Sequence, residues 1–406
     1  MNFYKILTSI ITIIYVCYIF TYPSSFYNDD SLFLAKGIDN FSIIDFSPHF
    51  PGYVSIVLLG KFLNIFLNDN KESLFILTAL CGALTPLVVF AYIKKLKDDK
   101  TAFVAFLLTI SSVYILNISL SMLSESVGLF FFFLGLYFFE VGKYKSSGTI
   151  FSIAFFARPS YLIFYIVGLV YIYFFKKDAL KDILLAFFFM AFIFLTYIFL
   201  SNGMLFIYEA KRFIFGHFTL WGTGQNSDIS WVSNIFRYEN IVYILLPLVF
   251  IKLDKKFLLI FILFISYFLW LIFAQNPENM RHLVPLSIFA SILLSSVLVN
   301  YHKIIITIFV FNIYILFTYT NKHSPIDQII TEIKDEKKIV ISNRSIEILR
   351  ASIKNRVFDK YYINSSKYYF QNKKVYMITT IRPKEKKYKV FKGRFLGERD
   401  YYLIEN

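Results

Sequence analysis

Long apolar stretches recur along most of the chain and limit what it can fold into. From Ile6 to Thr320, stretches of about 20 apolar residues follow one another, and each can cross the ~30 Å hydrocarbon core of a bilayer as a helix. Of the 406 residues, 57% are hydrophobic, and the mean hydropathy of +0.59 is too apolar for a soluble protein of this length. The sequence therefore predicts an all-α polytopic membrane protein.

Lysine clusters predict how these stretches cross the membrane, because positively charged loops stay on the cytoplasmic side. The clusters lie at 94–100, 143–145, 176–181 and 252–256. Placing all of them inside gives about eleven transmembrane helices in the plasma (inner) membrane. The N-terminus is then cytoplasmic, and the domain formed by residues 321–406 is extracytoplasmic.

Two regions depart from simple crossings. In the first outer loop, 23–71, the segments Ser31–Ile38 and Gly52–Phe66 are too short to span and predict helices that lie in the membrane interface. The segment Gly148–Phe175 has lysines at both ends, and its Arg158-Pro159 pair predicts a break into two short helices, since proline disfavours helix at the residue before it.

The last 86 residues change character and predict a small α/β domain. They contain 20 Lys and Arg against 10 Asp and Glu, which is +10 of the chain's net charge of +15. Anionic lipid headgroups explain this charge as well as nucleic acid does, and we expect no nucleic-acid partner. The predicted elements are helices Ser324–Lys334 and Ser345–Lys354, strands Lys338–Ser342 and Lys374–Ile381, and a hairpin of Tyr388–Phe391 with Tyr401–Ile404. Substrate guidance and structural cover both remain open as its role.

The arginines of residues 1–320 point to an anionic ligand. There are four of them, Arg158, Arg212, Arg237 and Arg281, and the predicted topology places all four on the outer side. Topology requires only positive charge, which lysine supplies in the inner loops. Arginine on the face that the positive-inside rule disfavours is typical of bidentate phosphate binding.

Acidic and turn residues fall on the same predicted face. Asp29 and Asp30 follow the first helix, the turn Ser47–Tyr53 (SPHFPGY) opens the second interfacial helix, and Glu125 lies in the turn Ser119–Ser126. Carboxylates beside a bilayer are costly unless they are solvated, paired or used in chemistry. Helix capping by the Asp pair, a first-turn position for Glu125 and pairing of Arg281 with Glu278 are the structural alternatives.

The order and spacing of these features resemble those of GT-C glycosyltransferases. The resemblance is to the branch of the dolichyl-phosphate-mannose-protein mannosyltransferases and lipid A aminoarabinose transferases, and it covers most of residues 1–320. It rests on the Asp-Asp pair, the His-Phe-Pro-Gly-Tyr turn, Glu125, Arg158-Pro159 and Arg281-His282 with Pro285. In the turn, Phe50 stands where the family carries the first of two prolines.

The resemblance implies a glycosyltransferase that takes a sugar from a polyprenyl-phosphate donor and passes it to a lipid, glycan or protein acceptor at the outer face. It implies Asp29 or Asp30 as the catalytic carboxylate, and family position favours Asp29. Glu125 is implied as a second acidic site on the acceptor side. The remaining implied residues are Arg158, Arg281, Arg212 and His49 for the donor phosphate, and Tyr53, His282 and Trp221 for the substrate lining.

Neither a metal nor an organic cofactor is predicted. The Asp-Asp pair alone does not make a Mg²⁺ site, although a divalent metal remains possible, and the five histidines show no ligand spacing. Two other functions stay open: an O-antigen polymerase or ligase that uses diphosphate-linked glycans, and a polytopic transporter or lipid flippase. A transporter predicts ionisable residues at mid-membrane and two related halves, neither of which is evident in the sequence.

Overall fold

The computed structural model describes residues 3–223, 229–334, 338–360, 375–384 and 387–405, and most of them are helical. The α-helices up to residue 318 are α1 (Phe3–Ile19), α2 (Asp29–Asp39), α3 (Val54–Leu67), α4 (Asn70–Leu96), α5 (Asp99–Ile110), α6 (Val113–Leu120), α7 (Ser124–Glu140), α8 (Tyr144–Ala157), α9 (Leu162–Phe175), α10 (Lys177–Asn202), α11 (Leu205–Gly216), α12 (Trp231–Ile235), α13 (Pro247–Ile251), α14 (Leu258–Ala274), α15 (Val284–Leu298) and α16 (His302–Thr318). Short 3-10 helices occur at Pro159–Tyr161, Tyr238–Leu245, Lys255–Phe257 and Met280–Leu283, and a π-helix at His217–Trp221.

The chain is a helical membrane protein by the length and composition of its helices. Four described segments can cross a membrane: Asn70–Leu96, Lys177–Asn202, Lys255–Ala274 and Met280–Leu298. The pair α5 and α6 makes a fifth if its 63° bend is counted within one span. The eleven predicted crossings are not confirmed, because other apolar helices, such as α1 and α16, are shorter than a full span.

The C-terminal part forms a small mixed sheet with two helices. Its elements are α17 (Pro325–Ile333), β1 (Ile339–Ser342), α18 (Ile346–Ser352), β2 (Val357–Asp359), β3 (Val375–Thr379), β4 (Lys389–Phe391) and β5 (Tyr401–Glu405). The strand order is β2-β1-β3-β5-β4, with β1 parallel to both β2 and β3 and the β3–β5 and β5–β4 pairs antiparallel. Apolar side chains of α17, α18 and the sheet pack into a second core, which Leu32 of α2 joins.

The loop between β4 and β5 joins this domain to the helices. Phe395 and Leu396 are buried in the helical core. The amide of Asn117 in α6 donates to the carbonyl of Leu396 at 2.8 Å, and the Tyr27 hydroxyl donates to the carbonyl of Gly397 at 3.0 Å. The C-terminal domain is therefore anchored to the helical part by this loop, at the end where α2 begins.

Most local elements predicted from the sequence are confirmed. Both short helices of the first loop are present as α2 and α3, and the break at Arg158-Pro159 separates α8 from α9. In the C-terminal domain both helices, two strands and the hairpin occur where they were predicted. Strand β2 was missed, because its three residues are too short to show an alternating pattern.

Candidate functional site

A capping box fixes the start of α2 and with it the aspartate pair. The Asn28 side chain accepts from the backbone N–H of Ser31, and the Ser31 hydroxyl accepts from the backbone N–H of Asn28. Asp29 and Asp30 therefore occupy the first turn, where the helix dipole favours negative charge. Because successive helical residues project about 100° apart, the two carboxylates face different surroundings.

Asp29 faces the C-terminal domain. Its two carboxylate oxygens accept hydrogen bonds from the backbone N–H groups of Ile346 and Ile348, both at 3.1 Å, in the first turn of α18. Burial raises the pKa of Asp29 to about 6, although these two hydrogen bonds favour the charged form. The side chain that family position favoured as the base thus joins the two domains.

This contact predicts that stability depends on pH through Asp29. A carboxyl whose pKa is higher in the folded chain than in the unfolded chain stabilises the fold when it is protonated. This contribution is complete below the unfolded pKa of 3.8 and is lost as the pH rises through about 6. This pKa shift changes the free energy of unfolding by at most about 3 kcal/mol. We expect thermal unfolding of the full chain at a higher temperature near pH 5 than near pH 7.5, and a smaller difference in Asp29→Asn. Asp45→Asn, an exposed acid outside the contact, is the control, and an unchanged difference in Asp29→Asn contradicts the assignment.

Glu125 lies between two arginines in the interior. It sits in the first turn of α7 with a side chain that is 1% exposed. Its Oε1 lies 2.9 Å from Nη2 of Arg158 and 3.1 Å from Nε of Arg281. Arg158 also donates from Nη1 to the Ser124 hydroxyl at 2.9 Å. A buried carboxylate with two guanidinium partners forms a fixed charge cluster.

Local sequence explains how Arg158 reaches this cluster. It ends α8 with a non-helical backbone (φ −143°, ψ 77°), as expected for a residue that precedes proline. Its Cβ approaches α7 at Gly128, where an added Cβ would lie only 2.7 Å from it. The glycine therefore permits the close contact between the arginine and α7.

Asp30 extends the cluster. One of its oxygens lies 3.5 Å from Nη2 of Arg281, and the other lies 3.9 Å from Nδ1 of His49. Burial opposes the charged form of Asp30, but His49, which is protonated at the low pH where Asp30 titrates, together with Arg281 and a hydrogen bond from Asn28, holds its pKa below the usual value. Burial also lowers the pKa of His49, and Arg281 and Arg158 lower it further. Asp30 is thus charged at neutral pH beside a neutral imidazole.

The cluster forms one end of a large cavity. The cavity has a volume of about 760 Å³ and lies against α2, α11, α14, the Ser47–Tyr53 turn and the break between α8 and α9. Asp30, His49, Arg158 and Arg281 line its charged end. Its other walls are largely aromatic and apolar: Phe33, Phe46, Phe50, Pro51, Phe155, Pro159, Leu162, Phe213, Ile214, Phe218 and Trp270. Such a cavity fits a ligand with an ionic head and a long apolar part.

A second cavity, of about 300 Å³, lies between the start of α2 and the C-terminal domain. Its lining is mostly polar and includes Asn343, Arg344 and Arg399. Asp30, Asn279 and Arg281 line both cavities. A group in either cavity can therefore approach the Asp30 carboxylate.

Several other predicted residues line the large cavity. The hydroxyl of Tyr53 lies 3.3 Å from Nε2 of His49, and His282 is buried in the wall. Arg212 lies at the rim, pairs with Glu209 and is 59% exposed. The side chain of Trp221 lies outside the described part of the chain.

The structure decides which acid pairs with Arg281 and separates one arginine from the site. Arg281 pairs with Glu125 and Asp30, while Glu278 is bound by Arg344 and Arg399 instead. Arg237 pairs with Glu239 and does not line either of these cavities. Among the described residues, no group of three or more His, Cys, Asp or Glu is placed to hold a metal ion.

Sequence reasoning missed Asn279, Arg344 and Arg399. Asn279 lies two residues before Arg281, and this proximity is its signal in the sequence. Arg344 and Arg399 belong to a domain whose packing onto the helices has no signal in the local sequence. No model of a known protein family matches the chain, and no curated protein matches it.

Proposed function

We propose that the protein is a membrane glycosyltransferase that moves a sugar from a polyprenyl-phosphate donor to an acceptor hydroxyl. The observation that carries this proposal is the position of Asp30, Arg158 and Arg281 at the charged end of a large, otherwise aromatic and apolar cavity. The GT-C resemblance of the sequence agrees with it. The eleven-crossing topology, with this site on the extracytoplasmic face, is part of the proposal.

The donor phosphate would bind at Arg158 and Arg281. The Nε group of Arg158 is buried without a hydrogen-bond partner among the described residues, and an unpaired buried donor is costly, whereas Nε of Arg281 already lies 3.1 Å from Glu125. Phosphate oxygens supply the acceptors that such groups need. The polyprenyl chain would follow the aromatic wall towards Phe155, whose ring lies 5.3 Å from that of Tyr165 in a neighbouring apolar cavity.

Asp30 would act as the general base. The acceptor oxygen attacks the anomeric carbon of the sugar while the bond from that carbon to the phosphate oxygen breaks. The hydroxyl proton passes to the Asp30 carboxylate, and the bonding electron pair leaves with polyprenyl phosphate. Arg158 and Arg281 stabilise the charge that develops on the leaving phosphate.

Asp30 suits this role better than its neighbour. Its charged form is favoured, and it faces both cavities, whereas Asp29 is engaged by the backbone of α18. His49 would hold the phosphate end of the donor together with Tyr53, and Glu125 would keep the two guanidinium groups in place.

Transfer of labelled sugar in proteoliposomes tests the proposal. The full chain is reconstituted and supplied in turn with hexosyl and pentosyl polyprenyl phosphates, and covalent transfer with release of polyprenyl phosphate is the expected result. The same transfer is expected in the presence of EDTA, since the sequence predicts no metal. Movement of the donor across the bilayer with its sugar still attached favours a transporter, and reaction only with diphosphate-linked glycans favours a polymerase or ligase.

A further inference from the structure

The smaller cavity lies where a second substrate would meet the first. It shares Asp30, Asn279 and Arg281 with the large cavity, and its remaining lining comes from the start of α2 and from the C-terminal domain. Asp30 therefore stands on the boundary of two cavities, one largely apolar and one largely polar. A general base that takes the proton of the acceptor hydroxyl while this hydroxyl attacks the donor sugar must lie where the two substrates meet.

The charges around the smaller cavity are balanced. Three arginines and three acids line it: Arg281, Arg344, Arg399, Asp29, Asp30 and Glu398. Asp30 is paired with Arg281, Glu398 is paired with the buried Arg394, and both Arg344 and Arg399 bind Glu278. Asp29 is held by backbone N–H groups. The lining as a whole therefore carries no net charge to attract a charged ligand.

Groups that hydrogen-bond to hydroxyls supply much of the rest of the lining. Asn28, Asn279 and Asn343 contribute amides, and Ser324 and Ser345 contribute hydroxyls. The rings of Tyr27 and Tyr401 complete it. Amides, carboxylates and guanidinium groups offer the donors and acceptors that sugar hydroxyls require.

We propose that this cavity binds the acceptor as an uncharged, polyhydroxylated group, such as the terminal sugar of a glycan, and that Arg344 of the C-terminal domain determines its affinity. The inference rests on the proposed function and extends it, because it gives the C-terminal domain the task of holding the acceptor. The acceptor hydroxyl then reaches Asp30 from the side opposite the lipid-linked donor. The volume of about 300 Å³ suits one sugar unit better than a lipid or a folded protein.

Arg344 and Arg350 make a matched pair for the test. Arg344 is 50% exposed and lines the cavity. When Arg344 is replaced, its partner Glu278 still has an ion pair with Arg399. Arg350 is 49% exposed, lies on α18, pairs with Glu347 and does not line the cavity. Arg344→Trp fills the cavity mouth, whereas Arg350→Trp adds the same ring outside it.

The kinetic arm uses methyl glycosides of common hexoses as acceptors for the full-length enzyme. Arg344→Trp is expected to raise the acceptor KM by about tenfold or more while the Kd of the donor stays within about twofold. Arg350→Trp is expected to match the wild type. An unchanged acceptor KM in Arg344→Trp, or competition between glycoside and donor for one site, overturns the inference.

A binding arm separates this inference from the proposed function. Asn343→Cys in the cavity lining and, as control, Arg350→Cys are made in a Cys17→Ser chain, where the remaining Cys81 is buried, and both are labelled with a maleimide. Millimolar methyl glycosides should slow labelling at position 343 only, with or without donor. Protection without any sugar transfer leaves the cavity assignment standing and refutes the proposed function. Protection by glycerol phosphate but not by the glycosides, or the absence of protection by either probe, overturns the inference even if transfer occurs.

Discussion

Asp30→Asn is expected to lower sugar transfer by about 10²- to 10⁴-fold, whereas Asp29→Asn keeps most of it. Asparagine has nearly the same shape as aspartate but cannot take the acceptor proton. Asp30 faces both cavities in its charged form, while Asp29 is held by the backbone of Ile346 and Ile348. Steady-state transfer with a saturating donor measures the difference.

The two neighbouring substitutions control for each other. They remove the same charge from the same helical turn, so a general effect on α2 would lower both activities alike. Donor binding should survive in Asp30→Asn, because Arg158 and Arg281 remain. Near-normal turnover in Asp30→Asn with loss in Asp29→Asn would move the base to Asp29, and normal turnover in both would remove the aspartate pair from the chemistry.

Glu125→Gln is expected to lower the free energy of unfolding by about 3–5 kcal/mol and to impair transfer. Breaking a buried ion pair on one side leaves the other charge without compensation, and Glu125 compensates two guanidinium groups at once. Glutamine keeps the volume, so loss of packing contributes little. Thermal or denaturant unfolding of the full chain in detergent measures the change.

Exposed ion pairs of the same chain provide the control. Glu332 pairs with Lys389 with both side chains about half exposed, and Glu332→Gln should cost no more than about 1 kcal/mol. Adding Arg158→Gln to Glu125→Gln should recover part of the loss, since one uncompensated charge is then removed. Equal stability of the Glu125 and Glu332 variants would contradict a charge role for the cluster.

The sequence predicted those parts of the site that depend on local rules. Arg158 precedes a proline, and the steric restriction on such residues acts over one peptide bond, so the break after α8 followed from the sequence alone. The short helix α2 was also predicted, but from Ser31 with the two aspartates as caps, whereas Asn28 caps it and the aspartates occupy its first turn.

The parts that were not predictable depend on contacts between distant segments. The sequence offered Glu278 as a partner for Arg281 three residues away, but the fold brings Glu125 and Asp30 to that arginine. The distinction between Asp29 and Asp30 also needs α18, whose position is fixed by tertiary packing far along the chain. The eleven crossings are not confirmed, because apolar length in the sequence does not show where a helix ends or bends.

A structure of the full-length Asp30→Asn variant with a sugar-linked polyprenyl phosphate tests the central claim most directly. We expect phosphate oxygens within hydrogen-bonding distance of Arg158 and Arg281, the polyprenyl chain along the aromatic wall, and the anomeric carbon next to residue 30. A lipid phosphate bound elsewhere, with the large cavity empty, would contradict it.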